Sequence, residues 1–329
     1  MKGRVMRGSR NIFTVKPGLS GGDFPPELEC RIKGKVLKGA GKYQNPLAPG
    51  DLVFYEEDPA RPGTGFITAP GERRNVLTRL NPKGLTSNRA PSPQLIAANV
   101  DLVLCVASAA SPPFRPRFVD RLLLQADASG IPAAVLCNKW DLFDGDPDIE
   151  ERLEDFRRIG IPVIRLSAKT GKGMDEFRDL IRNRFSVLAG QSGTGKSSLI
   201  NALLPSAGIR TGGINEKYGR GNHTTTLSSA VEIKGGPGAE PGAFLVDTPG
   251  IRLFIPHGIS PGDIVFHMRE FAPLAGKCTY GLSCSHRKEP GCRIMEAVDA
   301  GVIHEDRYES FLRIQDELLG ISFGNGRDE

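Results

Sequence analysis

The order in which short motifs occur constrains this chain more than any single motif does. GQSGTGKSSLIN (190–201) meets the pattern G-x-x-x-x-G-K-[ST] through Gly190, Gly195, Lys196 and Ser197. It follows the apolar run FSVLA and precedes SSLINALL, which reads as a helix. Strand, glycine loop and helix is the context in which such a loop holds phosphate. Glycines let the backbone approach the anion, and successive N–H groups at a helix N-terminus favour it. Lys196 is expected to reach the β and γ phosphates and Ser197 to offer its hydroxyl to Mg²⁺. Gln191, Ser192, Gly193, Thr194 and Ser198 complete the expected contact set. The alternative is a glycine-rich turn that happens to end in Lys-Ser. The loop comes more than halfway along the chain, after the residues expected to read the base.

Those residues lie in two short motifs at the ends of apolar runs. NKWD places Asn138, Lys139 and Asp141 after PAAVLC. A carboxylate there can accept from both the N1–H and the exocyclic amine of guanine, a donor pair that adenine lacks. SAK (Ser167, Ala168, Lys169) can present backbone N–H groups to guanine O6. Downstream of the phosphate loop, DTPG offers Asp247 to Mg²⁺ through water and the Gly250 N–H to the γ-phosphate. Between them, GRGNHTTT (219–226) carries threonines, one of which can ligate Mg²⁺ when the γ-phosphate is present. Ordinary GTPases run phosphate loop, threonine loop, DxxG, NKxD, SAK. Here NKWD and SAK come first. The same sheet forms if the chain is cut elsewhere and the old ends are joined, so the order predicts a circularly permuted GTPase domain. Ile251 follows DTPG where many GTPases carry a water-orienting glutamine, which predicts slow intrinsic hydrolysis. His223 can orient the water instead, or it is a loop residue with a structural hydrogen bond.

Alternating apolar runs and helical patterns from residue 95 onward support an α/β unit with a mostly parallel sheet. Upstream, NIFTV, LECRIKGKVL, DLVFYEE and TGFITA read as strands of a small all-β barrel, and residues 72–94 read as loop and linker. After about 262, GDIVFHMREFAPLAG, RIMEAVDAG and EDRYESFLRIQDELL read as helices. The expected division is therefore 1–93, 94–262 and 263–329. Charge separates the first unit: residues 1–93 hold 16 Lys and Arg against 8 Asp and Glu, a net +8 in a chain whose total is +5. That excess favours a polyanionic partner, with an ordinary solvated surface as the alternative. Lys33, Lys35, Lys38, Lys42, Arg73 and Arg74 are the candidate phosphate contacts. No apolar run approaches the ~18 residues of a membrane span, and the basic N-terminus lacks the apolar stretch of a secretory signal; a cytoplasmic protein is expected.

Cys278, Cys284, His286 and Cys292 form C-x5-C-x-H-x5-C within 15 residues. Three thiolates and an imidazole suit tetrahedral Zn²⁺ with no open position, hence a structural site. Free thiols are the alternative, a disulfide being disfavoured in a reducing compartment. Cys30, Cys105 and Cys137 sit in apolar runs and are expected to be buried.

Barrel, permuted GTPase motifs and Cys/His spacing together resemble the bacterial small-ribosomal-subunit biogenesis GTPases, the RsgA (YjeQ) family, over nearly the whole chain. The resemblance implies an N-terminal OB-fold, late-stage binding to the 30S subunit and its 16S rRNA, and GTP hydrolysis stimulated there, by a monomer that is released on hydrolysis. It also implies that Thr225 is the Mg²⁺-ligating threonine and that His223 takes part in hydrolysis. The expected fold is thus an OB-fold barrel, a circularly permuted P-loop GTPase domain and a mainly helical zinc-binding domain. A GTP-sensing RNA adaptor is the competing reading, kept open by Ile251. A P-loop nucleotide kinase is opposed by NKWD and SAK.

Overall fold

Alternation decides the first seventy residues. In Ile12–Pro17 (β2) Phe13 and Val15 are buried between more open neighbours, and in Leu28–Ile32 (β3) Leu28 and Cys30 point inward while Glu29 and Arg31 do not, the period of two that leaves one wet face. In a computed structural model, which describes residues 1–9, 11–18, 26–34, 43–80, 93–204, 228–233, 243–248 and 253–320, these strands join Lys2–Ser9 (β1), Leu52–Glu57 (β4) and Thr64–Pro70 (β5). β1 pairs with both β2 and β4, and β3 runs parallel to β5, so the ring closes in the order β1-β2-β3-β5-β4-β1. This is a five-stranded OB-fold barrel. Val5, Phe13, Val15, Leu28, Cys30, Val53, Tyr55 and Ile67 fill it.

Two strands depart from the sequence reading. The basic N-terminus, to which no strand was assigned, forms β1, whose inward residues (Gly3, Val5) alternate with Arg4 and Lys2. Part of the stretch expected as linker is also ordered: Val76–Leu80 (β6) pairs antiparallel with Pro93–Ala98 (β7). Their burial explains this, since Leu77, Leu95, Ile96, Ala97 and Ala98 are all sequestered from solvent.

The central sheet is built from strands that are buried on both faces. Every residue of Leu102–Ser108 (β8), Ala133–Asn138 (β9) and Phe185–Gly190 (β11) is buried, as parallel strands covered by helices require. With Val163–Arg165 (β10) and Ala243–Asp247 (β13) they form the parallel order β10-β9-β8-β11-β13, and Ser229–Ile233 (β12) adds antiparallel at the edge. Pro116–Ala128 (α1) and Pro147–Arg158 (α2) bury Phe118, Leu122, Leu153 and Phe156 against one face. Met174–Ile181 (α3) and Lys196–Leu203 (α4) bury Phe177, Ile181, Leu199 and Ile200 against the other. Each such side chain contributes about 1.5–3 kcal/mol of burial.

The C-terminal region packs Arg293–Asp299 (α5) and Glu305–Leu318 (α6) around Phe271, Phe311 and Ile314, together with Leu124 of α1. Residues 262–276, expected as one helix, instead make two 3-10 turns, Ile264–His267 and Ala272–Leu274. Pro273 cannot donate to a preceding turn, and Gly276 adopts a left-handed conformation at φ 75°.

A buried ionic cluster fixes α6 to the central domain. Asp120 of α1 accepts from Arg152 of α2 at 3.1 Å, from Arg307 of α6 at 2.8 Å and from Ser310 at 2.5 Å. Arg307 also donates to Glu270 at 2.5 Å. Burial opposes the Arg307 charge, but Asp120 and Glu270 outweigh it and hold the guanidinium above its usual range. Losing one partner of such a set typically costs about 3–5 kcal/mol, because the other charge stays buried. Among the described residues no helix is long and apolar enough to cross a membrane.

Candidate nucleotide site and metal centre

The described motif residues meet at the carboxyl ends of β9, β10, β11 and β13, the edge where open α/β sheets bind ligands. Residues 191–195 leave β11 and α4 starts at Lys196, with Gly195 before it at φ 91°. A Cβ on Gly195 would lie 2.2 Å from Asn138 Nδ2, so only glycine fits. The Lys196 ammonium donates at 2.8 Å to the carbonyls of both Gly190 and Gln191. Burial pulls its pKa down to about 8, with Asp247 opposing the shift.

Asp247 ends β13 directly beside Leu188 of β11. Burial raises its carboxyl to about 6, and Lys196 limits the rise. Its Oδ1 is buried with no hydrogen-bond partner among the described residues. A desolvated carboxylate oxygen left open next to a phosphate-loop lysine is a fit for a hard divalent cation. Ser197, at the start of α4, is half-buried and carries an oxygen of the type such a cation takes. Thr248, a DTPG position to which the motif assigned no role, adds an anchor by donating from Oγ1 to the Leu188 carbonyl at 2.7 Å.

Asn138 ties the base side to the phosphate side. Its Nδ2 donates to the Thr194 carbonyl at 2.9 Å, and its Oδ1 accepts from the Ala168 N–H at 3.1 Å. Asp141 is exposed on the turn Trp140–Leu142, where Ser167 Oγ donates to its Oδ1 at 2.6 Å and aims the carboxylate. Lys139, at φ 61°, reaches across to the Ser111 carbonyl. That contact identifies a wall that sequence reasoning missed: the turn 109–115 after β8, whose Pro112 lies against Gly193. The Pro-Pro pair behind a buried strand was its only sequence signal. Gln191 and Ser197 are half-buried and Ser192 and Gly193 exposed at the mouth, Thr194 is buried, Ser198 is half-buried on α4, and Lys169 is exposed. His223, Thr225, Gly250 and Ile251 lie outside the described residues.

The barrel cations divide. Arg73 is bound to the buried Asp51 at 2.6 Å and to the Pro46 carbonyl at 2.8 Å. Arg74 is bound to Asp101 at 2.5 Å. Arg73 is thereby tied into the frame with its side chain 23% exposed, whereas the Arg74 side chain stays 62% exposed beside its carboxylate. Lys33 stays exposed although it pairs with Glu56 at 2.8 Å; Lys35, Lys38 and Lys42 lie outside the described residues.

Cys278, Cys284, His286 and Cys292 are all buried, and their ligand atoms lie within 4.8 Å of one another. His286 Nδ1 is 3.6 Å from Cys278 Sγ and 3.5 Å from Cys292 Sγ, and those two sulfurs are 3.9 Å apart. A tetrahedral centre with Zn–S of ~2.3 Å and Zn–N of ~2.0 Å has edges of about 3.5–3.8 Å, so the set could hold a metal ion of that size. Burial pushes the Cys284 thiol up to about 12; a cation in the site is what would stabilise its thiolate. The loop is held from outside: Tyr308 donates to the His286 carbonyl at 2.6 Å, and Glu289 accepts from the Ser285 and Arg287 N–H groups at 2.9 Å each.

Comparison with known proteins agrees with this geometry. Residues 71–255 match the family model described as RsgA GTPase. The chain is 37% identical over 297 residues to the small ribosomal subunit biogenesis GTPase RsgA of Chlorobaculum parvum, covering 89% of this chain and 92% of that one. It is 33% identical over 323 residues to the protein of the same name from Bacteroides fragilis, covering 96% and 97%. The crystal structure of YjeQ from Thermotoga maritima superposes with a TM-score of 0.70 at 29% identity, covering 97% of this chain and 98% of that one. YloQ, described as a circularly permuted GTPase, superposes at 0.66 with 24% identity, covering 98% and 96%, and shares the fold. A base-reading edge that precedes the phosphate loop in the chain, on a sheet of this order and beside this Cys/His loop, places the protein: the chain belongs to the RsgA GTPase family.

Proposed function

We propose that the protein is a GTP-hydrolysing maturation factor of the small ribosomal subunit, which docks on 30S particles and their 16S rRNA with GTP bound and leaves after hydrolysis. The observation that carries the nucleotide half is Asn138, which joins the base-reading loop at Ala168 to the phosphate-reading loop at Thr194. The names of the relatives support the ribosomal half.

Asp141, aimed by Ser167, accepts from guanine N1–H and the 2-amino group. Ala168 exchanges its Asn138 acceptor for guanine O6, with the Lys169 N–H beside it. Lys196 exchanges the Gly190 and Gln191 carbonyls for β- and γ-phosphate oxygens, which restores a counter-charge to a desolvated ammonium. Gly190, Gln191, Ser192, Gly193, Thr194 and Gly195 form the cradle, closed by Ser198. Ser197, Asp247 and Thr225 would hold Mg²⁺, which would supply positive charge to the phosphate oxygens of the phosphoryl group being transferred. The Gly250 N–H meets the γ-phosphate, and His223 orients the attacking water in place of the glutamine that Ile251 displaces. Cys278, Cys284, His286 and Cys292 hold one structural Zn²⁺. The barrel of residues 1–93 supplies the rRNA face, with residues 94–262 and 263–329 as the catalytic and zinc-binding units of a cytoplasmic monomer.

Competition binding tests this directly. GTP and GDP displace each other from the purified protein, while ATP, lacking the donor pair for Asp141, binds about 10⁴-fold more weakly or less. In sedimentation, a non-hydrolysable GTP analogue retains the protein on 30S subunits and GDP releases it, with retention falling as salt rises. Equal affinity for ATP would sink the guanine reading; retention indifferent to the nucleotide would favour the adaptor.

A further inference from the structure

One transverse row of residues runs from the barrel to the nucleotide edge. Arg7 of β1 pairs with Ser229 of β12, and Ser229 pairs on its other side with Asp247 of β13. The barrel thereby extends the central sheet past its β12 edge. A single residue pair is a weak attachment, but the same strands are gripped a second time at their other end. Lys16 of β2 donates to Glu232 of β12 at 2.5 Å, with side chains only 11% and 23% exposed. Its ammonium also stands 5.4 Å from the ring centre of Phe244. Arg4 of β1 covers both Phe185 and Phe244, at 4.9 and 5.7 Å.

The gripped residues are not arbitrary ones. Glu232 pairs with Phe244, and Phe244 pairs with Phe185. Phe185 opens the strand that ends at the phosphate loop, and Phe244 is the second residue of the strand that Asp247 ends, three residues further on. Asp247 Oδ1 has no hydrogen-bond partner among the described residues, so the β13 backbone is what places it. Whatever sets the β12–β13 pair sets that carboxylate.

We propose that Lys16 and Glu232 are positioning residues for the nucleotide site: their ion pair locks the barrel onto the β12–β13 edge, so that barrel docking and Mg²⁺-dependent GTP binding form one linked equilibrium. The proposal rests on the reading of Asp247 as a Mg²⁺ ligand. Linkage is reciprocal. The docked barrel strengthens Mg²⁺–GTP binding, and Mg²⁺–GTP tightens the barrel by the same factor. A partner that seats the barrel would then act on the phosphate edge through strands already in register, with no contact to the nucleotide.

The test uses the full chain in four forms besides wild type: Lys16→Glu, Glu232→Lys, the two together, and Asp247→Asn. GTP affinity is read from the fluorescence of Trp140, the chain's single tryptophan, in excess Mg²⁺ and in EDTA. Each single reversal is expected to weaken binding about fivefold or more in Mg²⁺ and to leave binding in EDTA unchanged. The double reversal restores the Mg²⁺ increment. Hydrogen exchange supplies a second readout: Mg²⁺–GTP slows exchange of β1 and β2 amides in wild type and in the double reversal, but not in the single ones. Single reversals that keep the full Mg²⁺ increment, while Asp247→Asn loses it, would overturn the clamp and leave Asp247 standing. Losses equal in Mg²⁺ and EDTA and not restored by the pair would also overturn it, showing a merely structural contact. An increment that survives in Asp247→Asn would remove the ligand assignment, and the proposal with it. Should Lys16→Glu fail to fold, Lys16→Met gives the same comparison without the like-charge repulsion.

Discussion

Gly195 and Asn138 show why the nucleotide site tolerates so little change. The glycine sits at φ 91° with the asparagine amide where a Cβ would be, and that amide is what joins the phosphate loop to the base loop. Gly195→Ala is therefore expected to weaken GTP binding by about five- to 150-fold through about 1–3 kcal/mol of backbone strain, with circular dichroism unchanged; near-wild-type affinity in a titration would contradict it. Protonation gives a second expectation. Burial holds Asp247 protonated below about 6 and lets Lys196 lose its proton above about 8. Both groups are charged only between those values, so Mg²⁺–GTP affinity peaks in that window. It falls by about tenfold per pH unit on the acid side as the carboxylate is lost as a ligand, and Asp247→Asn flattens that limb. The residue types in this site were legible because phosphate, guanine and Mg²⁺ each demand particular groups at particular spacings. Ser111 and Pro112, and the role of Thr248 within DTPG, were not, because their contacts to Lys139, Gly193 and Leu188 arise only once separate strands lie side by side.

Elements were legible where one period dominated. The fully buried runs of β8, β9 and β11 and the amphipathic α1, α2 and α6 announce themselves. β12 does not: four of its five residues are only half-buried, and its partners are β13 on one side and the barrel on the other. β1 hides for a related reason, since Arg4 looks like solvated charge until Phe185 and Phe244 are placed against it. The 262–276 segment carried a helical pattern that Pro273 and Gly276 override. In the C-terminal region the three cysteines are part of the apolar core with Phe271 and Phe311, so a metal held by them would stand or fall with the packing. Removing the metal with a strong chelator, or Cys284→Ser, is expected to release one zinc per chain by elemental analysis and to lower the melting temperature on the order of 5 °C. An unchanged melting curve after complete metal loss would show that the core holds without it.

At the scale of the whole molecule, motif order alone revealed the permutation, and the Cys/His spacing located the third unit. How the units join was not written in any local pattern. Asp120, Arg152, Glu270 and Arg307 come from four distant segments and make sense only as a buried set. The charge excess of the first unit was visible, but the ion pairs of Arg73 with Asp51 and of Arg74 with Asp101 were not. The barrel is fastened to the edge of the GTPase sheet, and the C-terminal helices to α1 through Asp120. The central claim is that GTP hydrolysis at this site answers to the small ribosomal subunit. Steady-state hydrolysis by the full chain, alone and with purified 30S subunits, measures it. The account predicts a slow rate alone that rises by about a hundredfold or more with subunits, the scale on which a group or geometry supplied in trans acts on phosphoryl transfer. A rate indifferent to subunits, in protein that still binds GTP, would contradict it.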